Sequence, residues 1–246
     1  MKHGTIIKLG RHRLACGDST DHQLVARLIG DDTVRMILTD PPYGVAYVES
    51  KAGMAKLGKE KPIANDQFQT NEEYERFTVA WLDAVKGKLA SHNTFYIFNS
   101  DLMYCALRHA IEKAGYFYSQ MIVWVKSAPV MGRKDYLPQS ELIAYGWMGR
   151  HKRERSKGKG VIFHAKPSAS RLHPTMKPPG LLRKLLLDST KIGETVYDPF
   201  GGSGSTLVAC EHTQRRCLMV EMDPEYAKTI VRRWETLTGN KAEVLE

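Results

Sequence analysis

The sequence predicts a doubly wound α/β fold, with a mostly parallel sheet and an antiparallel late strand. Three observations predict it. Short apolar runs alternate with amphipathic segments of helix length along most of the chain. The run 34–38 ends in Thr39-Asp40-Pro41-Pro42-Tyr43-Gly44, where two prolines forbid helix and stiffen the turn. Late in the chain come a strand, a glycine-rich turn, a helix, a second strand and a terminal acid, the order of a nucleotide-binding half-unit. Ligands of open α/β sheets bind beyond the carboxyl ends of the strands, so both turns are candidate sites. The bland alternative for the first is a strand-ending turn, since Asp-Pro pairs commonly form turns.

Each element has a local reason. Residues 5–8 and 13–16 read as extended pieces around Gly10, and a helix from about Asp21 places Leu24, Val25, Leu28 and Ile29 on one face before Gly30. Thr70 and Glu73 form a capping box for a helix with Tyr74, Phe77, Trp81, Leu82, Val85 and Leu89 at helical spacing, a core face with no assigned function. Residues 94–98 read as a strand, 101–114 as a helix closed by Gly115, and 117–126 and 141–147 as strands. No helix-length crossover separates the last two, so they can pair antiparallel. Beyond 173–179 a helix carries Leu181, Leu182, Leu185 and Leu186 inward. The strand 195–197 leads to Asp198-Pro199-Phe200-Gly201-Gly202-Ser203-Gly204-Ser205-Thr206 and a helix; the strand 217–220 leads to Glu221, and Asp223-Pro224 opens the last helix.

Composition narrows the classes. At 246 residues, 42% hydrophobic and 26% charged, the chain fits one soluble domain with an inserted region. It shows no run of transmembrane length and no signal-peptide core at its start. Cys16, Cys105, Cys210 and Cys217 form no CxxC pair and read as buried thiols of a reducing, cytoplasmic compartment, with neither disulfides nor zinc expected. The net charge of +9 favours a polyanionic partner. Lys51, Lys56, Lys59 and Lys61 fall in 45–66, a stretch without clean period that reads as a mobile flap over the first turn or as a plain surface loop. Arg133 and Lys134 fall in 127–140, and the run 150–160 holds six Lys or Arg, among them Arg150, Lys152, Arg153 and Arg155, against the single acid Glu154. Two readings stand for that run, a solvated face or a phosphate-contacting arm.

The glycine turn discriminates among ligands. A P-loop needs Gly-Lys-Ser/Thr, and this turn has no lysine; a dinucleotide fingerprint needs a third glycine where Leu207 stands. Asp198 would repel a pyrophosphate yet could hold an ammonium or hydroxyl, and Glu221, 17 residues beyond Gly204, suits ribose hydroxyls. A cationic amino-acid nucleoside such as S-adenosylmethionine fits these types, the alternative being a turn with no ligand.

Asp40-Pro41-Pro42-Tyr43, then His173-Pro174-Thr175-x-Lys177-Pro178, then Asp198-Pro199-Phe200-x-Gly202-Ser203-Gly204 resemble, in that order, the β class of amino-group DNA methyltransferases. The likeness runs from about Cys16 to Trp234 and implies a Rossmann-like methyltransferase sheet with circularly permuted motif order. It implies that Asp40 and the Pro41 carbonyl accept from the amino group of an extruded base, with Pro42 shaping the turn and Tyr43 stacking on the base. It implies S-adenosylmethionine at Asp198, Phe200, Gly202, Ser203, Gly204, Ser205 and Glu221, with Asp18 near the adenine and Thr175 and Lys177 beside the methionine end. DNA is the implied partner, a homodimer the implied assembly, and a target-recognition region the implied role of about 127–172. Asp before Pro-Pro-Tyr favours adenine N6 by family habit, with cytosine N4 as runner-up. An RNA or protein-amide methyltransferase and a catalytically idle DNA-binding relative are the rivals from other classes. A restriction-modification setting follows from the same likeness.

Overall fold

The computed structural model describes residues 1–44, 69–130, 135–155, 157–165 and 177–245. Strands β1 (Ile6–Leu9) and β2 (His12–Cys16) precede helix α1 (His22–Ile29), β3 (Val34–Thr39), α2 (Asn71–Lys86), β4 (Leu89–Asn99) and α3 (Tyr104–Lys113). Then come β5 (Phe117–Val125), β6 (Ser140–Trp147), β7 (Val161–Phe163), α4 (Pro179–Ser189) and β8 (Thr195–Asp198). Helix α5 (Ser205–His212), β9 (Arg216–Glu221), α6 (Pro224–Thr238) and β10 (Glu243–Val244) complete the described elements. The strands form one sheet in the order β10-β1-β2-β9-β8-β3-β4-β6-β5-β7.

The sheet is doubly wound, as expected. Its centre, β2-β9-β8-β3-β4, is parallel throughout, and β6 pairs antiparallel with both β4 and β5. An antiparallel edge of β1 and β10 adds to that pattern. One face is covered by α4, α5 and α6 through Leu181, Leu185, Leu207 and Ile230, the other by α1, α2 and α3 through Leu28, Trp81, Val85 and Leu107. Each fully buried Leu, Val or Ile contributes on the order of 1.5–3 kcal/mol, so both faces hold the sheet. The connections from β3 and β8 leave on opposite faces although the two strands are neighbours. That makes their boundary the topological switch point, where a crevice opens at the carboxyl ends.

Local chemistry sets most element ends. Asp21 caps α1 by accepting from the N–H of Gln23 and Leu24, and Thr70 with Glu73 closes the expected capping box on α2. Leu89 differs from expectation: Gly87 ends α2, so Leu89 opens β4 instead of extending the helical face. Helix α3 starts at Tyr104, because residues 101–103 are spent turning the chain out of β4. Strands β7 and β10, three and two residues long, are too short to leave a period in the sequence. Cys16, Cys210 and Cys217 are buried, but Cys105 is exposed, since its position on α3 faces away from the sheet.

Candidate active site

Thr39, Asp40 and Pro41 leave the end of β3 at the switch point. Pro41 is buried, while Asp40, Pro42 and Tyr43 are partly exposed to the crevice. Gly44 follows at φ +64°, a left-handed conformation that glycine adopts without strain, and its carbonyl accepts from the Gln69 N–H at 3.0 Å. The chain thus leaves the site at Gly44 and returns to it at Gln69. Tyr43 donates its hydroxyl to Asp40 Oδ1 at 2.6 Å, and the Lys177 ammonium bonds Asp40 Oδ2. Lys177, just before α4, is 6% exposed and lies 5.1 Å from the centroid of the Phe98 ring. Glu141, at the start of β6, places Oε2 3.2 Å from Lys177 and Oε1 2.8 Å from Lys126. Asp40, Lys177, Glu141 and Lys126 therefore form a chain of alternating charge.

Burial and neighbours set the charge states of that chain. Burial pushes the Asp40 carboxyl up, and Lys177 opposes the shift. For Glu141 burial also pushes upward, but the two lysines outweigh it and hold the carboxyl below its ordinary range. Burial lowers Lys177, and the carboxylates of Asp40 and Glu141 more than restore it, so the ammonium stays charged. Burial and the Asp40 charge drive the Tyr43 phenol well upward, so it acts as a hydrogen-bond donor.

The glycine turn lies across the boundary, at the end of β8. Thr39 donates its hydroxyl to Asp198 Oδ1 at 2.7 Å, a buried bond that ties the proline turn to the glycine turn. The same oxygen accepts from the Phe200 N–H at 3.1 Å. Gly204, at φ +78°, turns the chain into α5, where a residue with a side chain would be strained. Glu221 accepts from the N–H of Gly202 at 2.6 Å and of Asp223 at 2.8 Å, one on each carboxylate oxygen. Arg233 on α6 donates to the Ser203 carbonyl at 2.8 Å, and the Ser203 and Ser205 hydroxyls lie 3.3 Å apart. The Phe200 ring packs on Phe77 and edge-on to Trp81, with centroids 5.7 and 5.6 Å away. Burial pushes both Asp198 and Glu221 up to about 7. Asp18, at the turn after β2, accepts from the Thr20 N–H at 2.8 Å and lies beside the β9 end, where the Gly17 N–H bonds the Glu221 carbonyl.

The sheet thus gathers Asp18, Asp40, Tyr43, Lys177, Asp198 and Glu221 at one end, from five separate stretches of chain. Thr175 and His173, Lys51, Lys56, Lys59, Lys61, Arg133 and Lys134 lie outside the described residues, as does all of the 45–66 loop. The basic run goes elsewhere. Because β6 runs antiparallel to β4, the chain emerges from it at the amino end of the sheet, where Arg150 bridges His92. There the Lys152 carbonyl accepts from Arg35, Arg153 pairs with Asp188 at 3.0 Å, and the Arg155 N–H bonds the Asp188 carbonyl. Arg150, Lys152, Arg153 and Arg155 therefore form a strap across the far end of the sheet from Asp40, anchored through its backbone and Arg153, with Arg150, Lys152 and Arg155 exposed. Glu141, Lys126 and Thr39 carried no site assignment in the sequence. Only Thr39 had a signal there, its place beside Asp40.

A protein-family model described as a DNA methylase matches residues 34–232. The chain is 27% identical over 227 residues to the Type II methyltransferase M2.DpnII of Streptococcus pneumoniae, a match covering 83% of each protein. Among solved structures, the M1.HpyAVI–SAM complex superposes with TM-score 0.66 at 22% identity, over 89% of this chain and 98% of that one. The PvuII DNA methyltransferase, described as cytosine-N4-specific, superposes with TM-score 0.70 at 17% identity, over 92% of this chain and 86% of that one. At these identities the structural likeness concerns the fold.

Proposed function

The chain belongs to the N6/N4 DNA methylase family, and from that membership and the site we propose that it methylates the exocyclic N6 of an adenine turned out of DNA. The methyl donor is S-adenosylmethionine, with which one of the structural neighbours was solved. The residues of the glycine turn fit such a cation. Two buried carboxylates, Asp198 and Glu221, border it, and Arg233 on α6 is engaged by the Ser203 carbonyl. A phosphate would meet these two acids, whereas ribose hydroxyls and an ammonium find acceptors.

The observation that carries the reading is the Thr39–Asp198 hydrogen bond across the switch point. It ties the two turns together, which supports reading Asp40 as the acceptor for a base beside a glycine turn that cradles the methyl donor. A base amino nitrogen is conjugated with its ring, so its lone pair is a poor nucleophile. Asp40 and the Pro41 carbonyl, aimed at the two amino hydrogens, favour the pyramidal nitrogen whose lone pair is free, and stabilise the charge that develops on it. S-adenosylmethionine supplies an electrophilic methyl on a sulfonium. The rest is in-line positioning. Turning a base out of the stack costs a few kcal/mol, and stacking on Tyr43 offsets ~1–3 kcal/mol of it.

Cytosine N4 is the second reading, favoured by the PvuII likeness. Expression in a host without DNA methylation, followed by sequencing for modified bases, decides between them. The expected product is N6-methyladenine in one sequence context, and N4-methylcytosine would establish the second reading. Asp40→Ala should abolish transfer while S-adenosylmethionine still binds; loss of that binding would overturn the role of Asp40. Tyr43→Ala should weaken turnover and keep partial DNA binding. A homodimer, a target-recognition region about 127–172 and a single methyltransferase domain belong to the same reading.

A further inference from the structure

Both acceptor oxygens of Asp40 are already taken. Oδ1 receives the Tyr43 hydroxyl and Oδ2 the Lys177 ammonium. A base amino group arriving at this carboxylate must displace one of them, and the ammonium is the stronger competitor because its bond is charge-assisted. Among the described residues, Lys177 has one other anion within reach. Glu141 Oε2 already pairs with its nitrogen at 3.2 Å, and this buried oxygen has no other donor among the described residues. Such an oxygen gains free energy when the ammonium closes on it from an ion pair to a full hydrogen bond. Glu141 itself is held in place, since Lys126 bonds Oε1 at 2.8 Å and the β5–β6 ladder pairs Trp124 with Glu141. Lysine is a point charge on a flexible stem, and the rings of Phe98 and Tyr43 lie 5.1 and 5.7 Å from its nitrogen.

We propose that Glu141 is a positioning residue that takes the Lys177 ammonium from Asp40 as the target base enters, freeing Asp40 Oδ2 to receive the amino group. The inference rests on the reading of Asp40 as the base acceptor. In the resting state Lys177 bonds Asp40 and pairs with Glu141 at 3.2 Å; in the working state it is held by Glu141 alone. The exchange is neutral overall, because the same two carboxylates share the same ammonium before and after it.

Glu141→Gln leaves the ammonium with Asp40 as its only anion among the described residues. On unmethylated genomic DNA with labelled S-adenosylmethionine, its kcat should fall about tenfold or more, the scale of one charge-assisted hydrogen bond. The KM for DNA and the calorimetric affinity for S-adenosylmethionine should stay within about twofold of the parent. Adding Lys177→Met to Glu141→Gln should raise kcat several-fold above that of the single variant, because the competitor for Asp40 is gone. Glu141→Gln with Lys126→Met, which removes the lysine left unpaired, carries the same expectation if the single variant fails to fold. An unchanged kcat, a parallel loss of S-adenosylmethionine affinity, or a further fall on adding Lys177→Met would each overturn the proposal. Asp40→Ala run alongside separates the two readings: if it retains turnover the role of Asp40 falls, whatever Glu141 does.

Discussion

Asp198 illustrates what burial at the crevice costs a carboxylate. It is 3% exposed, its bonds come from Thr39, Phe200 and Thr206, and no cation pairs with it among these contacts. Burial therefore raises its carboxyl to about 7, well above an ordinary aspartate. The folded chain then holds this proton more tightly than the unfolded chain does, so native stability falls as pH rises from about 4 to about 7. Asp198→Asn should stabilise the ligand-free protein above pH 7 by on the order of 1–3 kcal/mol, with the gain vanishing near pH 4. Denaturant midpoints at the two pH values check this. The same variant should lose affinity for S-adenosylmethionine, and the parent's affinity should weaken as pH drops through about 7. Asp198 was legible from its glycine turn. Glu141 was not, because an acid at the start of an alternating strand looks like any solvent-facing residue until Lys126 and Lys177 are folded against it.

The 150–160 run shows the limit at the scale of an element. Its composition was plain in the sequence, and charge alone says only that something polyanionic or aqueous faces it. Its place depends on β6 running antiparallel to β4, which delivers Arg150 and its successors to the amino end. Arg153→Ala breaks the pair with Asp188, whose side chain is 9% exposed, and should cost about 1–3 kcal/mol of stability. Neutralising the exposed Lys152 and Arg155 should leave the salt dependence of DNA binding unchanged. A slope reduced by about two would bring DNA to the amino end after all. Helix α2 makes the complementary point: Phe77 and Trp81 read correctly as a packing face, and their packing extends to the Phe200 ring of the glycine turn.

Over the whole molecule, strand order is what makes a site. β3 and β8 are far apart in sequence yet adjacent in the sheet, and their connections part to opposite faces. Asp40 and Asp198 consequently border one crevice, which no short stretch of chain could build. A ligand that binds only the folded crevice stabilises the whole fold by mass action, ~2.7 kcal/mol at a hundred times its dissociation constant. S-adenosylmethionine at that level should raise the melting temperature by about 5–10 °C. A scanning calorimetry trace without a shift would remove the donor from this crevice.

By itself the sequence determined the α/β class, the helix caps, the two turns and the chemistry they suggest, because proline, glycine, capping residues and apolar period act over a few neighbouring residues. Only the tertiary structure decided that Lys177 and Glu141 share a buried charge chain with Asp40, that Thr39 joins the two turns, and that the basic run lies at the opposite end. Those relations depend on strand order and direction, which couple residues more than a hundred positions apart through hydrogen bonds that no local pattern encodes.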